Sequence, residues 1–299
     1  MRRRPRTRTE RPGTRRRLRS STAFKIADLG RRYASTGLRV LRDRAAFEDV
    51  QTLCLFVGHV KSGGTLLGAL LDAHPDAVVA DEVDVLRYVA AGFRRQQLFH
   101  LLADASRRQA ANGRVTARRL DPYSLAVPGQ HQGDAGPIRV IGDSRAGPTI
   151  RRLGDHPALV DDLRRRLGTV RDRYVHVVRH PYDPIAAMRL RSGRTAENAI
   201  ADYAAQCARL LEFRSRIEPE RLLTVRYEDV VATPEPMLER VCAFLGLGTT
   251  RTYLEACAAI VDAGCQPERD RVGWTGADRA SVEHLVESVP FLQGYAHVG

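Results

Sequence analysis

The stretch Gly58-His59-Val60-Lys61-Ser62-Gly63-Gly64-Thr65 places glycines, two hydroxyls and one ammonium between a short apolar run and a segment of helical pattern. Backbone amides in such a turn, with the first amides of the following helix, converge on one point and hold an anion. Gly58 and Gly63 have the spacing of the nucleotide-hydrolase loop, G-x-x-x-x-G-K-[ST], but Gly64 stands where that loop needs its lysine. Lys61 lies inside the turn instead. The dinucleotide fingerprint G-x-G-x-x-G is absent. Of 48 cationic residues only Lys25 and Lys61 are lysines. A compact ammonium suits a single oxygen better than a broad guanidinium fork does. Arg179 closes a second apolar run, and its planar fork suits a phosphate.

These residues need elements to hold them. Thr52–Val57 is too short for a core helix and reads as a strand buried on both faces. A helix is expected from Gly64 to about Ala73, stopped by His74-Pro75. Further strands are expected at 77–80, 138–143, 174–178 and 222–226. Helices are expected within 22–47, at 94–111, at 156–168, from Pro181 onward, at 195–216, near 234–245 and at 249–262, with a long loop up to about 136. Strands alternating with helices predict an α/β fold: one domain with a central parallel sheet flanked by helices and a P-loop-like strand–loop–helix phosphate site. No internal repeat is present.

The chain has 299 residues and a net charge of +13, unevenly spread. Residues 1–20 hold ten arginines and one glutamate, a net +9, which leaves +4 on the rest. We therefore read 1–20 as a disordered basic tail and 21–299 as the folded domain. A basic body that binds specific nucleic acid is not expected. The tail is arginine-rich and acid-poor like a transit peptide, but arginine is the general cation of this chain. With 43% hydrophobic and 28% charged residues and no apolar run near 18 residues, no membrane span is expected. Cys54, Cys207, Cys242, Cys257 and Cys265 are scattered, with no C-x-x-C pair. They predict buried thiols in a reducing, cytoplasmic setting and no metal site.

The segment Val60-Lys61-Ser62-Gly63-Gly64-Thr65-Leu66-Leu67, followed by Leu71-Asp72-Ala73-His74-Pro75-Asp76, resembles the 5′-phosphosulfate loop of the sulfotransferases, P-[RK]-S-G-T-T-x-L. Those enzymes use 3′-phosphoadenosine 5′-phosphosulfate (PAPS). Val177-Val178-Arg179-His180-Pro181-Tyr182-Asp183 resembles their 3′-phosphate segment, V-R-[ND]-P-x-D. Val225-Arg226-Tyr227-Glu228-Asp229-Val230, with Pro234 and Cys242-Ala243-Phe244-Leu245-Gly246-Leu247, resembles R-Y-E-D-L…P…I-x-x-F-L-G-L. The three blocks keep their order and spacing over 52–247, with a weaker match from Arg271-Val272-Gly273-Trp274 to Gly294-Tyr295. Two positions depart from the pattern: Gly64 replaces a threonine of the loop, and Ala187 replaces a serine eight residues after the arginine. Ser192 could substitute for it from the next turn.

The resemblance implies a PAPS-dependent sulfotransferase that needs no metal. Lys61, Ser62, Gly63, Gly64, Thr65, Arg179 and Tyr227 would bind the donor. Lys61 would also neutralise the leaving phosphate. The acceptor hydroxyl needs a base, and Glu82 resembles the family's catalytic carboxylate, with Asp81 and Asp84 as fallbacks. His59 and His180 flank the loops as positioning or structural residues. The acceptor, a small molecule or glycan with a free hydroxyl, is not written in the sequence, nor is the oligomeric state. A P-loop kinase of small molecules, and a non-catalytic binding protein on a sulfotransferase-like scaffold, stand as alternatives.

Overall fold

The computed structural model describes residues 22–42, 45–115, 123–134, 136–261 and 267–295. The basic tail and Cys265 lie outside the described residues. Every side chain of β1 (Thr52–Val57) is buried, because both faces of this strand are covered. Leu53, Leu55 and Val57 enter one core cluster, and Cys54 and Phe56 enter another on the opposite face. That alternation is the two-residue period of a strand. The other strands are β2 (Ala77–Ala80), β3 (Val140–Asp143), β4 (Arg171–Val178) and β5 (Leu222–Arg226), in the order β2-β3-β1-β4-β5. All four pairings are parallel, with Leu55 opposite Asp143 on one side and Tyr174 on the other. The fold is thus the expected α/β domain with a parallel sheet flanked by helices. Because β3 and β4 lie on either side of β1, a crevice opens beyond its carboxyl end, where open parallel sheets bind ligands.

The helices, in chain order, are α1 (Thr22–Arg42), α2 (Gly64–Asp72), α3 (Val85–Ala90), α4 (Arg95–Ala111), α5 (Ala146–Asp155), α6 (Leu159–Leu167), α7 (Tyr182–Ser192), α8 (Ala196–Arg216), α9 (Tyr227–Ala232), α10 (Pro234–Leu245), α11 (Arg251–Ala258) and α12 (Gly276–Ser288). Several elements depart from the sequence reading. The helix expected at 156–168 is α6; α5, which precedes it, is additional, and the two are broken at His156-Pro157, where proline has no donor to continue the first. Strand β4 starts at Arg171, three residues early. Its Asp172 is buried and tolerated there because Arg164 (3.0 Å) and Arg221 pair with it. Helix α9 was not foreseen, nor was α12. The latter is opened by a reciprocal capping box, Thr275 with Asp278.

Cys54, Cys207, Cys242 and Cys257 are free and buried. Burial pushes the thiols of Cys207, Cys242 and Cys257 up to about 12, so they behave as small core residues. Among the described residues no helix is long and apolar enough to cross a membrane.

Candidate active site

Strand β1 delivers the chain into the turn 58–63. Gly58 takes φ +121°, and a Cβ there would lie 2.6 Å from the His176 ring. Lys61 follows at φ 70°, left-handed for a non-glycine residue and hence strained, with an exposed side chain. Gly63 caps α2 at φ +100°, and a Cβ on it would fall 2.2 Å from Tyr227 Cδ2. Only glycine lets the turn reverse here and lets the Tyr227 ring lie on the backbone.

The Arg179 guanidinium leaves the end of β4 and lies over that ring, 4.7 Å from the Tyr227 centroid. Its Nη1 donates to the Lys61 carbonyl at 3.4 Å, which ties the β4 end to the glycine turn. Its Nε pairs with Asp183 at 3.2 Å and its Nη2 with Glu268 at 2.8 Å. Arg269 also pairs with Asp183 (3.2 Å), and Arg191 approaches Glu268 at 3.8 Å. Burial works against the charge on Arg179, but Asp183 and Glu268 outweigh it and hold the group firmly protonated. Three guanidinium groups thus share two carboxylates around one buried point.

The opposite wall comes from β2 and β3. Glu82 is exposed, at φ 62°, and its carbonyl accepts from Arg145 Nη1 at 2.8 Å. Asp81 accepts from the Ser144 hydroxyl at 2.9 Å, and burial raises its pKa above the usual carboxylate range. Asp84 is engaged elsewhere: both its oxygens accept from Arg152, at 2.7 Å each. Asp143 ends β3 fully buried, accepting from the amides of Val85 and Arg145, and burial pushes its pKa up to about 7.

Above this wall runs the segment after α4. It hangs from the buried Asp72 carboxylate, which accepts from Val79 N (2.6 Å), Ser106 Oγ (2.7 Å), Gly133 N (3.1 Å) and the Arg114 guanidinium. Val115 bridges Ser124 in antiparallel fashion. Val115 and Tyr123 stay 51% and 37% exposed at the rim.

All of this encloses a cleft of about 500 Å³ whose lining includes Lys61, Gly63, Gly64, Thr65, Asp81, Glu82, Arg179 and Tyr227. The structure therefore brings the sequence-derived candidates together, except for Ser62, Asp84 and His180. Ser62 is buried and its side chain is not part of the lining. Nor are Asp84 and His180 part of it; the His180 amide donates to Glu228 at 2.9 Å. His59 borders the cleft, stacked on Tyr203 at 3.8 Å, and burial lowers its pKa to about 4, so it stays neutral. Ala187 is buried, and the Ser192 hydroxyl donates to the Met188 carbonyl. Sequence reasoning missed Ser144 and Arg145, although they follow a foreseen strand end. It also missed Glu268, whose partner Arg179 is remote in the chain. A second hollow, of about 400 Å³ between α5, α6 and α8, touches none of the strand-end loops. Among the described residues no group of three His, Cys, Asp or Glu side chains is arranged to hold a metal ion.

The family model described as "Sulfotransferase family" matches residues 163–251, which contain β4, Arg179, β5 and Tyr227 but not the turn 58–65. That segment carries two of the three blocks on which the sulfotransferase resemblance rests. Among solved structures, the chain is similar to the sulfotransferase domain of the Synechococcus PCC 7002 olefin synthase, at 19% identity, 79% of this chain, 93% of that one and a TM-score of 0.49. It is also similar to sulfotransferase STF9 from Mycobacterium avium (12%, 94% and 86%, TM-score 0.49). A third is mouse sulfotransferase SULT7A1, solved in complex with PAP (13%, 83% and 88%, TM-score 0.46). No curated protein matches the chain as a relative.

Proposed function

We propose that this protein is a sulfotransferase that moves a sulfuryl group from PAPS to a hydroxyl of an organic acceptor. One observation carries the reading: Lys61 and Arg179, joined through the Lys61 carbonyl, line the same cleft as Asp81 and Glu82. The two cations suit the two ends of a bisphosphorylated nucleotide, and the carboxylates suit an alcohol that must lose a proton.

PAPS supplies an electrophilic sulfur and a phosphate leaving group. The residues do the rest. Gly63, Gly64 and Thr65 present amides at the start of α2 to the 5′-phosphate. Arg179, backed by Arg191 and Arg269, receives the 3′-phosphate, which takes the place of the Glu268 carboxylate. The Tyr227 ring, laid on Gly63, flanks the nucleotide. Glu82 accepts the proton of the acceptor hydroxyl as its oxygen bonds to sulfur, with Asp81 next in line. The bond from sulfur to the phosphate oxygen breaks, its electron pair stays on that oxygen, and Lys61 neutralises the charge there. No step calls for a metal. The rim of Val115, Tyr123 and buried Leu125 favours a small acceptor with an apolar part, a lipid-like or natural-product alcohol over a plain sugar. The buried thiols suit a reducing, cytoplasmic location.

Thermal unfolding with adenosine 3′,5′-bisphosphate and with ATP–magnesium tests this. The bisphosphate at ~100 times its dissociation constant should add roughly 2.7 kcal/mol of stability, and ATP much less. A shift with ATP alone would reassign the protein to the kinases. Binding of bisphosphate without transfer from radiolabelled PAPS to any alcohol in a broad screen would leave a binding protein.

A further inference from the structure

The three most exposed large hydrophobic side chains among the described residues stand on one helix: Ile26 (64%), Leu38 (60%) and Leu41 (64%) of α1. They are not scattered around it. At about 100° per residue, Ile26, Leu41 and Leu38 fall within one arc of ~120°, with only alanines and glycines (Ala23, Ala27, Gly30, Ala34 and Gly37) between them. The opposite arc is used for docking. Leu29 packs on the core, Tyr33 meets Phe93 edge to face at 5.1 Å, Thr36 contacts Gln97, and Arg39 pairs with Asp104. The apolar arc is therefore not the buried side of a poorly placed helix; it is a second face. Arg31 and Arg42, both exposed, border it. The sequence just before the helix adds the net +9 of residues 1–20.

We propose that α1 lies on an anionic lipid surface, with Ile26, Leu38 and Leu41 in the acyl boundary and the arginines among the headgroups. Three occupants would cover the arc, and charge decides between them. A second copy of this chain would bring two +9 segments together, and like charge opposes that. Nucleic acid offers phosphates for the arginines but no apolar sink for isoleucine and leucine. An anionic bilayer offers both, and demands no shape match from a face built of glycine, alanine and three large side chains. Helix α1 is too polar to span, so this is peripheral binding.

The test is co-sedimentation of the full chain with phosphatidylcholine vesicles, with and without phosphatidylserine. Binding is expected only with phosphatidylserine, and it should weaken with salt. The variant Ile26→Gln/Leu38→Gln/Leu41→Gln changes exposed side chains, so its melting temperature should hold while vesicle affinity falls at least ~10-fold. Deleting residues 2–20 should weaken binding as well. No sedimentation with phosphatidylserine overturns the proposal. So does undiminished sedimentation of the triple variant, which would make the tail a generic polycation. A dimer that the triple variant converts to monomer would give the face to a second copy instead.

Discussion

On the β4–β5 side, the cleft wall is backbone and locked pairs. Gly63 and the Arg179 guanidinium both abut the Tyr227 ring, and Arg179 is held by Asp183 and Glu268. On the β2–β3 side, Glu82 stands exposed on left-handed backbone, and Val115 and Tyr123 are open to solvent. The first wall leaves little room for change at its centre, because a side chain added at Gly63 collides with the Tyr227 ring. The second fixes where a reactive group sits and leaves the ligand body to replaceable side chains. A constant donor and a variable acceptor need such a division.

The largest effects should come from breaking one wall at a time. Glu82→Gln is expected to lower turnover ~10²–10⁴-fold with donor affinity intact. Lys61→Ala should lower turnover comparably and weaken donor binding too. Single-turnover rates measured beside nucleotide titrations separate the two. Near-normal turnover of Glu82→Gln would move the base to Asp81, whose raised pKa already suits proton transfer.

The next contrast is between adjacent glycines. Gly63→Ala places a methyl 2.2 Å from Tyr227 Cδ2 at φ +100°, and should cost about 1–3 kcal/mol of stability with most of the nucleotide affinity. At Gly64 the nearest atoms, Phe56 Cδ1 and Ser144 O, are 3.4 Å away, so Gly64→Ala should fold and bind nearly as well. Denaturant midpoints and calorimetric affinities for both variants check this. Equal losses would mean that the ring is not part of the donor wall.

A smaller effect concerns Glu268. Its carboxylate sits 2.8 Å from Arg179, where a phosphate would have to go. Glu268→Gln is therefore expected to tighten adenosine 3′,5′-bisphosphate ~3–10-fold and leave 5′-AMP unchanged. Weaker binding of the bisphosphate would make Glu268 a positioning residue that presents Arg179.

A last effect is a slope. Folded Asp143 keeps its proton up to about pH 7, whereas the unfolded chain releases it near the ordinary value of 3.8. Between those values the folded state binds more protons, so stability should fall as pH rises through the window. Asp143→Asn should flatten that fall in urea unfolding measured across it.

Much of the wall proposed for the donor was legible in the sequence because it is local. A strand, a glycine turn and a helix follow one another within residues 52–72, and Arg179 and Tyr227 each close a run of apolar residues. The position of Asp84 was legible but its use was not, since the guanidinium that claims it comes from Arg152 on another helix. Arg171-Asp172-Arg173 hid the start of β4, because charge reads as surface until its partners are known. Thr275-x-x-Asp278 was a visible capping signal before α12 that had no apolar run strong enough to draw attention to it.

The bridge from Val115 to Ser124 closes a loop at its base, and the Asp72 carboxylate bolts both flanks, Arg114 and Gly133, to the end of α2. Lengthening such a closed loop is inexpensive, roughly 0.6 kcal/mol per doubling. Changes made between the two bolts therefore leave the glycine turn after β1 as it is, and a screen of randomised sequence at 116–122 against a panel of alcohols reads whether this stretch sets acceptor preference.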